Sequence, residues 1–160
     1  MSASAESSTL CTPSSPLIKT NPGGGHIVNT SSMSGLIAMP ALGSYIASKF
    51  GAVGLTEVLA AELAEDGGAI GATVLCPGPV RSNIKPSLRS MHQGERGGLF
   101  DDGPVASMRW MEPIECGRLV DDGIRANDLY VITHPELWPM VQPRLERTGT
   151  AFTASAPAYH

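Results

Sequence analysis

Two short apolar runs, His26-Ile27-Val28-Asn29 and Ala72-Thr73-Val74-Leu75-Cys76, flank a proline-free stretch from Leu42 to Ala64 in which apolar residues recur at helical spacing. That order constrains the fold more than any other feature. A strand, a helix and a second strand of this length pair in parallel through a right-handed crossover, because a hairpin needs only a short turn. The first run follows the turn-forming Asn21-Pro22-Gly23-Gly24-Gly25, and the second stops at Pro77-Gly78-Pro79. Both have the continuous apolar character of strands covered on two faces.

The long helix should end at Asp66-Gly67-Gly68. Ile46, Phe50 and Val53 mark one apolar stripe on it, and Leu55, Leu59 and Leu63 mark another. A helix apolar around this much of its circumference needs cover on two sides, by a sheet and by a partner subunit. A homo- or hetero-oligomer formed through helix 42–64 is therefore expected. Downstream, Pro113 suits a first helical turn, and Cys116, Leu119, Val120, Gly123 and Ile124 continue the period to about Ala126. Leu129 to Thr133 reads as a third strand. Pro135, Pro139 and Pro143 then limit the chain to short helical pieces.

Between these elements, Asn83 to Met111 is irregular, yet it contains Leu88, Met91, Leu99, Phe100, Met108 and Trp110. Such a segment suits a lid over an apolar pocket better than a linker. The Ser/Ala/Thr-rich leader at 1–15 has no basic start and no apolar core, so it is read as disordered rather than as a secretory signal. Residues 148–160 are read as a flexible tail. A cytoplasmic location follows by default.

Composition narrows the function. In 160 residues with 42% apolar and 16% charged side chains, one domain is expected, and no apolar run is long enough for a membrane span. A net charge of -4 without a Lys/Arg cluster argues against nucleic acid or an anionic membrane surface as partner and for a small-molecule or protein partner. Cys11, Cys76 and Cys116 are odd in number and far apart. They indicate neither a disulfide framework nor a zinc site, and Cys76 reads as a small core residue. His26, His92, His134 and His160 show no metal-ligand spacing.

Tyr45 and Lys49 lie four apart on the long helix, so their side chains share one face. An ammonium beside a phenol favours the phenolate, which suits the pair to moving a proton to or from a carbonyl or an alcohol. Ser32 precedes Tyr45 by thirteen residues, on the loop leaving the first strand, where its hydroxyl could donate to the same substrate oxygen. Taken singly, a Y-x-x-x-K pair also fits a surface helix and a loop serine also fits a local turn bond.

Together the motifs are specific. From Ile27-Val28-Asn29-Thr30-Ser31-Ser32 through Tyr45-Ile46-Ala47-Ser48-Lys49 to Cys76-Pro77-Gly78-Pro79-Val80-Arg81-Ser82-Asn83-Ile84, the chain resembles the C-terminal half of the short-chain dehydrogenase/reductase family. The likeness covers about residues 16–147. It implies an α/β fold with a partial Rossmann-like parallel sheet of about three strands and two crossover helices. It also implies a hydride transfer between a nicotinamide cofactor, NAD or NADP, and a carbonyl or secondary alcohol.

By the same resemblance Tyr45 is the catalytic acid/base, Lys49 assists it and binds the nicotinamide ribose, and Ser32 steadies the substrate oxygen. Pro77, Gly78, Val80 and Ser82 would wrap the nicotinamide, and Asn29 either lies near the cofactor or holds the strand end. Residues 82–111 would correspond to the family's variable substrate region. Nowhere does the sequence contain the T-G-x-x-x-G-x-G turn that binds the pyrophosphate in this family, nor its N-A-G segment or the helix asparagine of its catalytic tetrad. The N-terminal dinucleotide-binding half is thus expected to be missing, with Pro16-Leu17-Ile18 as the end of a preceding helix. A truncated gene product of doubtful activity alone is one expectation. The other is a catalytically silent module that pairs with an N-terminal half or a full-length relative.

Overall fold

The computed structural model describes residues 18, 20–40, 42–82 and 107–152. The leader, Cys11, the Pro16-Leu17 stub, most of the lid with Asn83, Ile84, Arg89, His92 and Arg96, and the tail beyond residue 152 lie outside the described residues.

Among the described residues three parallel strands form one sheet in the order β1-β2-β3: β1 is Gly25–Thr30, β2 is Ile70–Cys76 and β3 is Tyr130–Ile132. Gly25 pairs with Ile70 and Thr30 with Leu75, while Val74 pairs with Tyr130 and Cys76 with Ile132. This is the parallel sheet expected from the strand-helix-strand order, and it matches the partial Rossmann-like sheet that the resemblance implies. Because side chains alternate along a strand, Ile70, Ala72, Val74 and Cys76 share one face of β2. Helix α1, Gly43–Glu65, covers that face with Val53, Thr56, Leu59 and Leu63. Val74 and Cys76 are fully enclosed. Burying a side chain of valine size contributes roughly 1.5–3 kcal/mol, so this seam anchors the fold.

Helix α2, Pro113–Ala126, lies on the opposite face. There Val131, which pairs with Leu75, packs against Gly123 so closely that any added Cβ would collide with its side chain. Glu112 and Glu115 form a reciprocal capping box at the start of α2, and Asn127 closes it in the left-handed region at φ 55°. The end of α1 is equally local. The Asp66 amide donates to the Glu62 carbonyl, and Gly67 and Gly68 follow at φ +106° and +70°, a region glycine enters without a Cβ penalty. No described helix is long and apolar enough to cross a membrane.

One expectation is overturned. A short 3-10 turn, Pro135–Leu137, leads into a single helix α3, Trp138–Phe152, with Pro143 inside it. Pro139 falls in the first turn, where a missing N–H costs nothing. Pro143 forfeits its bond to the Pro139 carbonyl, and tertiary contacts outweigh that loss. Val141 is buried with Met33, Ile37 and Val53. Arg144 donates to the Leu36 carbonyl at 3.1 Å and lies 4.9 Å from the Phe50 ring centroid.

Candidate functional site

The C-terminal ends of β1 and β2 deliver the motif residues to one end of the sheet. Past β1 the chain turns through a 3-10 segment, Met33–Gly35, capped by Ser32, whose side-chain oxygen accepts from the Ser34 amide at 3.1 Å. With one lone pair so occupied, the Ser32 hydroxyl proton points to the Pro77 carbonyl, 3.5 Å away. The Met33 amide donates to the same carbonyl at 2.9 Å. The loop after β1 and the turn after β2 therefore share an anchor.

The neighbouring Ser31 hydroxyl donates to the Lys49 carbonyl at 2.8 Å, which fastens α1 to this loop. Gly35 lies where α1 passes closest. A Cβ there would meet the Ser31 hydroxyl, and would stand 2.8 Å from the Lys49 carbonyl oxygen and 3.0 Å from Val53 Cγ2. Lys49 Nζ donates to the Thr30 carbonyl at 3.3 Å and stands 5.7 Å from the Tyr45 ring centroid. Both side chains are half-buried. Helical spacing thus brings phenol and ammonium together, and the end of β1 supplies the oxygen that orients the ammonium.

Tyr130 is the other described tyrosine, and its setting differs. Its phenol donates to the Glu57 carboxylate, and burial followed by that carboxylate pushes it up to about 12. It stays protonated and ties β3 to α1.

Asn29 faces α1, where its amide donates to the Thr56 hydroxyl at 3.1 Å; Thr56 in turn donates to the Ala52 carbonyl at 2.7 Å. This bond ties the end of β1 to α1. The turn after β2 is gripped from two sides. The Gly78 amide donates to the Thr133 hydroxyl at 3.0 Å, while Met111 accepts from the Arg81 amide at 2.9 Å and donates to the Pro79 carbonyl at 3.0 Å. Val80 and Met111 form a parallel bridge. Arg81 pairs with Glu112 at 2.9 Å on the surface, and Ser82 is exposed.

Thr56, Thr133 and His134 are among the buried polar residues that spacing alone did not single out. His134 is fully enclosed, and so are Thr56 and Thr133 to within 2%. Cys76 sits in the core beneath the Ser31-Ser32 loop, where burial pushes its thiol up to about 11. Such a thiol is a poor nucleophile.

Comparison with known proteins bears directly on this arrangement. The family described as short chain dehydrogenase matches residues 7–93, so the likeness reaches into the Ser-rich stretch read above as lying outside it. A CLA biosynthesis dehydrogenase/reductase from Lactiplantibacillus plantarum is 30% identical over 138 residues, 78% of this chain and 48% of that protein. A C alpha-dehydrogenase from Sphingobium is 31% identical over 71% of this chain and 39% of that protein. A short-chain dehydrogenase/reductase from Burkholderia phymatum, solved in complex with NAD, superposes with a TM-score of 0.71 at 28% identity, over 92% of this chain and 56% of that one. The chain thus spans about half the length, or less, of the curated relatives it matches. With the family match covering more than half of the sequence and the strand-loop-helix geometry in agreement, the chain belongs to the short-chain dehydrogenase family.

Proposed function

We propose that this chain holds the catalytic end of a nicotinamide-dependent oxidoreductase acting on a secondary alcohol or its carbonyl. The observation that carries the reading is the Lys49 ammonium, held by the Thr30 carbonyl at 3.3 Å and 5.7 Å from the centroid of the Tyr45 ring. The relatives named dehydrogenases and the solved neighbour bound to NAD support a nicotinamide cofactor here. The donor set fits the nicotinamide end of such a cofactor. An ammonium has three N–H donors, the Thr30 carbonyl accepts one, and a ribose diol would take the others.

A bound nicotinamide would supply or accept the hydride. Tyr45 would take the alcohol proton in the oxidative direction and return it to the carbonyl oxygen in the reductive one, with the Lys49 ammonium close to its ring. Ser32 would donate to the substrate oxygen. Its oxygen is fixed by the Ser34 amide, and the proton's resting contact with Pro77 is long at 3.5 Å, so redirecting it costs little. The backbone from Pro77 to Val80 and the Ser82 hydroxyl would flank the ring.

A second reading, a silent module that pairs through α1, is favoured by Leu55 and Val58, which remain 48% and 55% exposed on that helix. Titration of the purified chain with reduced dinucleotide, followed by a dehydrogenase assay over a panel of secondary alcohols, separates the two. The oxidoreductase reading expects weak but saturable binding through the nicotinamide end, since the pyrophosphate-binding turn is absent from the sequence, and turnover that the Tyr45→Phe variant loses by at least about a hundredfold. Turnover untouched by that substitution removes the mechanism. Absent dinucleotide binding, together with a dimer by light scattering that Val58→Lys dissociates, favours the pairing module.

A further inference from the structure

A histidine enclosed on every side has two ring nitrogens to satisfy, and leaving either unpaired costs more than an apolar side chain would. His134 satisfies both: Nδ1 is 2.7 Å from the Thr133 hydroxyl and Nε2 is 2.9 Å from the Arg109 carbonyl. A carbonyl only accepts, so Nε2 carries the proton and, in the neutral ring, Nδ1 is the acceptor. The Thr133 hydroxyl therefore donates to Nδ1, and its oxygen accepts from the Gly78 amide at 3.0 Å. Donor and acceptor roles run in one consistent direction, from Gly78 through Thr133 and His134 to Arg109.

The same ring leaves no room at position 78. A Cβ built on Gly78 would stand 2.6 Å from His134 Cγ and Nδ1. The ring thus sets how deep the turn sits, and the hydroxyl sets where its amide points. Arg109 Nη2 donates back to the Thr133 carbonyl at 3.0 Å and its Nε pairs with Glu136 at 3.0 Å, which closes the frame from the far side.

We propose that Thr133 and His134 are positioning residues: through the Gly78 amide they hold the Pro77–Val80 turn in the conformation that receives the nicotinamide end of the cofactor. This rests on the reading of the site given above. Neither residue touches the reacting atoms; they act through the turn. The same imidazole bonds the Arg109 carbonyl, at the end of the stretch that corresponds to the family's substrate region. Cofactor turn and substrate segment are therefore registered by one side chain.

The test uses the full chain with Thr133→Val, which keeps the shape and removes the hydroxyl, Thr133→Ser, which restores it, and His134→Ala. Amide hydrogen exchange at Gly78, read by NMR, is expected to accelerate in Thr133→Val and His134→Ala and to return toward the wild-type rate in Thr133→Ser. The dissociation constant and KM for reduced dinucleotide should rise about three- to tenfold in Thr133→Val, with kcat within about twofold and recovery in Thr133→Ser. A residue that merely stabilised the fold would lower the active fraction and leave KM unchanged. Unaltered Gly78 exchange in both Thr133→Val and His134→Ala overturns the proposal, as does faster exchange with unchanged dinucleotide affinity. A wild-type chain that binds no dinucleotide, while Gly78 exchange still follows the Thr133 hydroxyl, would remove the reading of the site and leave the lock standing.

Discussion

The ammonium of Lys49 lies 5.7 Å from the centre of the Tyr45 ring and donates to the Thr30 carbonyl at 3.3 Å, so the first turns of α1 and the end of β1 are joined at the pair proposed to carry the chemistry. Loss of that charge should be felt in both binding and turnover. Lys49→Met is expected to lower kcat by about a hundredfold or more and to raise the KM for dinucleotide. Lys49→Arg should recover only part of this, since a planar guanidinium is not a compact ammonium on the same stem. Steady-state kinetics of the two variants decide the matter; equal activity of Lys49→Met and wild type would take the lysine out of the mechanism.

Thr56 is fully enclosed, donates to Ala52 and accepts from Asn29, so it makes a second link between β1 and α1. Thr56→Val keeps the volume and leaves the Asn29 amide without its acceptor. The expected cost is about 1–3 kcal/mol in chemical denaturation. In an Asn29→Ala background the same substitution should cost clearly less, because the stranded donor is gone. Equal costs in the two backgrounds would show that the bond contributes nothing.

At Gly35 the loop after β1 approaches α1 so closely that a methyl group meets Ser31, the Lys49 carbonyl and Val53 together. Gly35→Ala must therefore push the loop from the helix and lengthen the 2.8 Å bond from Ser31 to the Lys49 carbonyl. Overpacking of this kind costs about 1–3 kcal/mol. Because Ser32 follows Ser31 directly, kcat should fall together with the denaturation midpoint, whereas Gly51→Ala, at an open position on α1, should leave both nearly unchanged.

Cys76 is enclosed and its thiol is pushed up to about 11 by burial; Cys116, half-buried on α2, is raised as well. In the native chain at pH 8 iodoacetamide should therefore leave Cys76 unmodified over hours and label Cys116 slowly, while denaturant makes both react at the rate of a free thiol. Peptide mass spectrometry resolves the two sites. Rapid native labelling of Cys76 would contradict the packing of β2 against α1.

How much of this was legible in the sequence depended on whether the relevant partners were local. Strand β2 could be read because it is apolar on both faces and ends at Pro77, and the Tyr45–Lys49 pair because four residues along a helix guarantee proximity. Helix α2 announced its own start with Pro113, while its capping glutamates were recognised only in the structure. Helix α3 defeated the same approach, since Pro143 argues against a helix locally, while Val141 and Arg144 hold it through Met33, Phe50 and Leu36, all far upstream. His134 was invisible for the same reason. Beyond the adjacent Thr133, it bonds the Arg109 carbonyl and packs against Gly78, and no spacing rule connects position 134 to either.

His26 supplies a pH dependence whose sign follows from its surroundings. Thr73 donates its hydroxyl proton to the Asp128 carbonyl at 2.6 Å, so the same oxygen accepts from His26 Nε2 at 2.7 Å, and the ring lies across Gly71, where a Cβ would strike it. Burial holds the imidazole below its ordinary 6.5. The unfolded chain therefore binds this proton more readily than the folded one, and stability must fall as pH drops from 6.5 toward the folded value. Glu136, held below its usual 4.5 by Arg109, loses its contribution only in a lower window. Denaturation midpoints taken between pH 7.5 and pH 5 should therefore slope downward on acidification in the wild type. His26→Gln retains an N–H for Thr73 but cannot titrate, so its midpoints should be flatter across this interval; an unchanged slope would mean that His26 is as solvated in the folded chain as in the unfolded one.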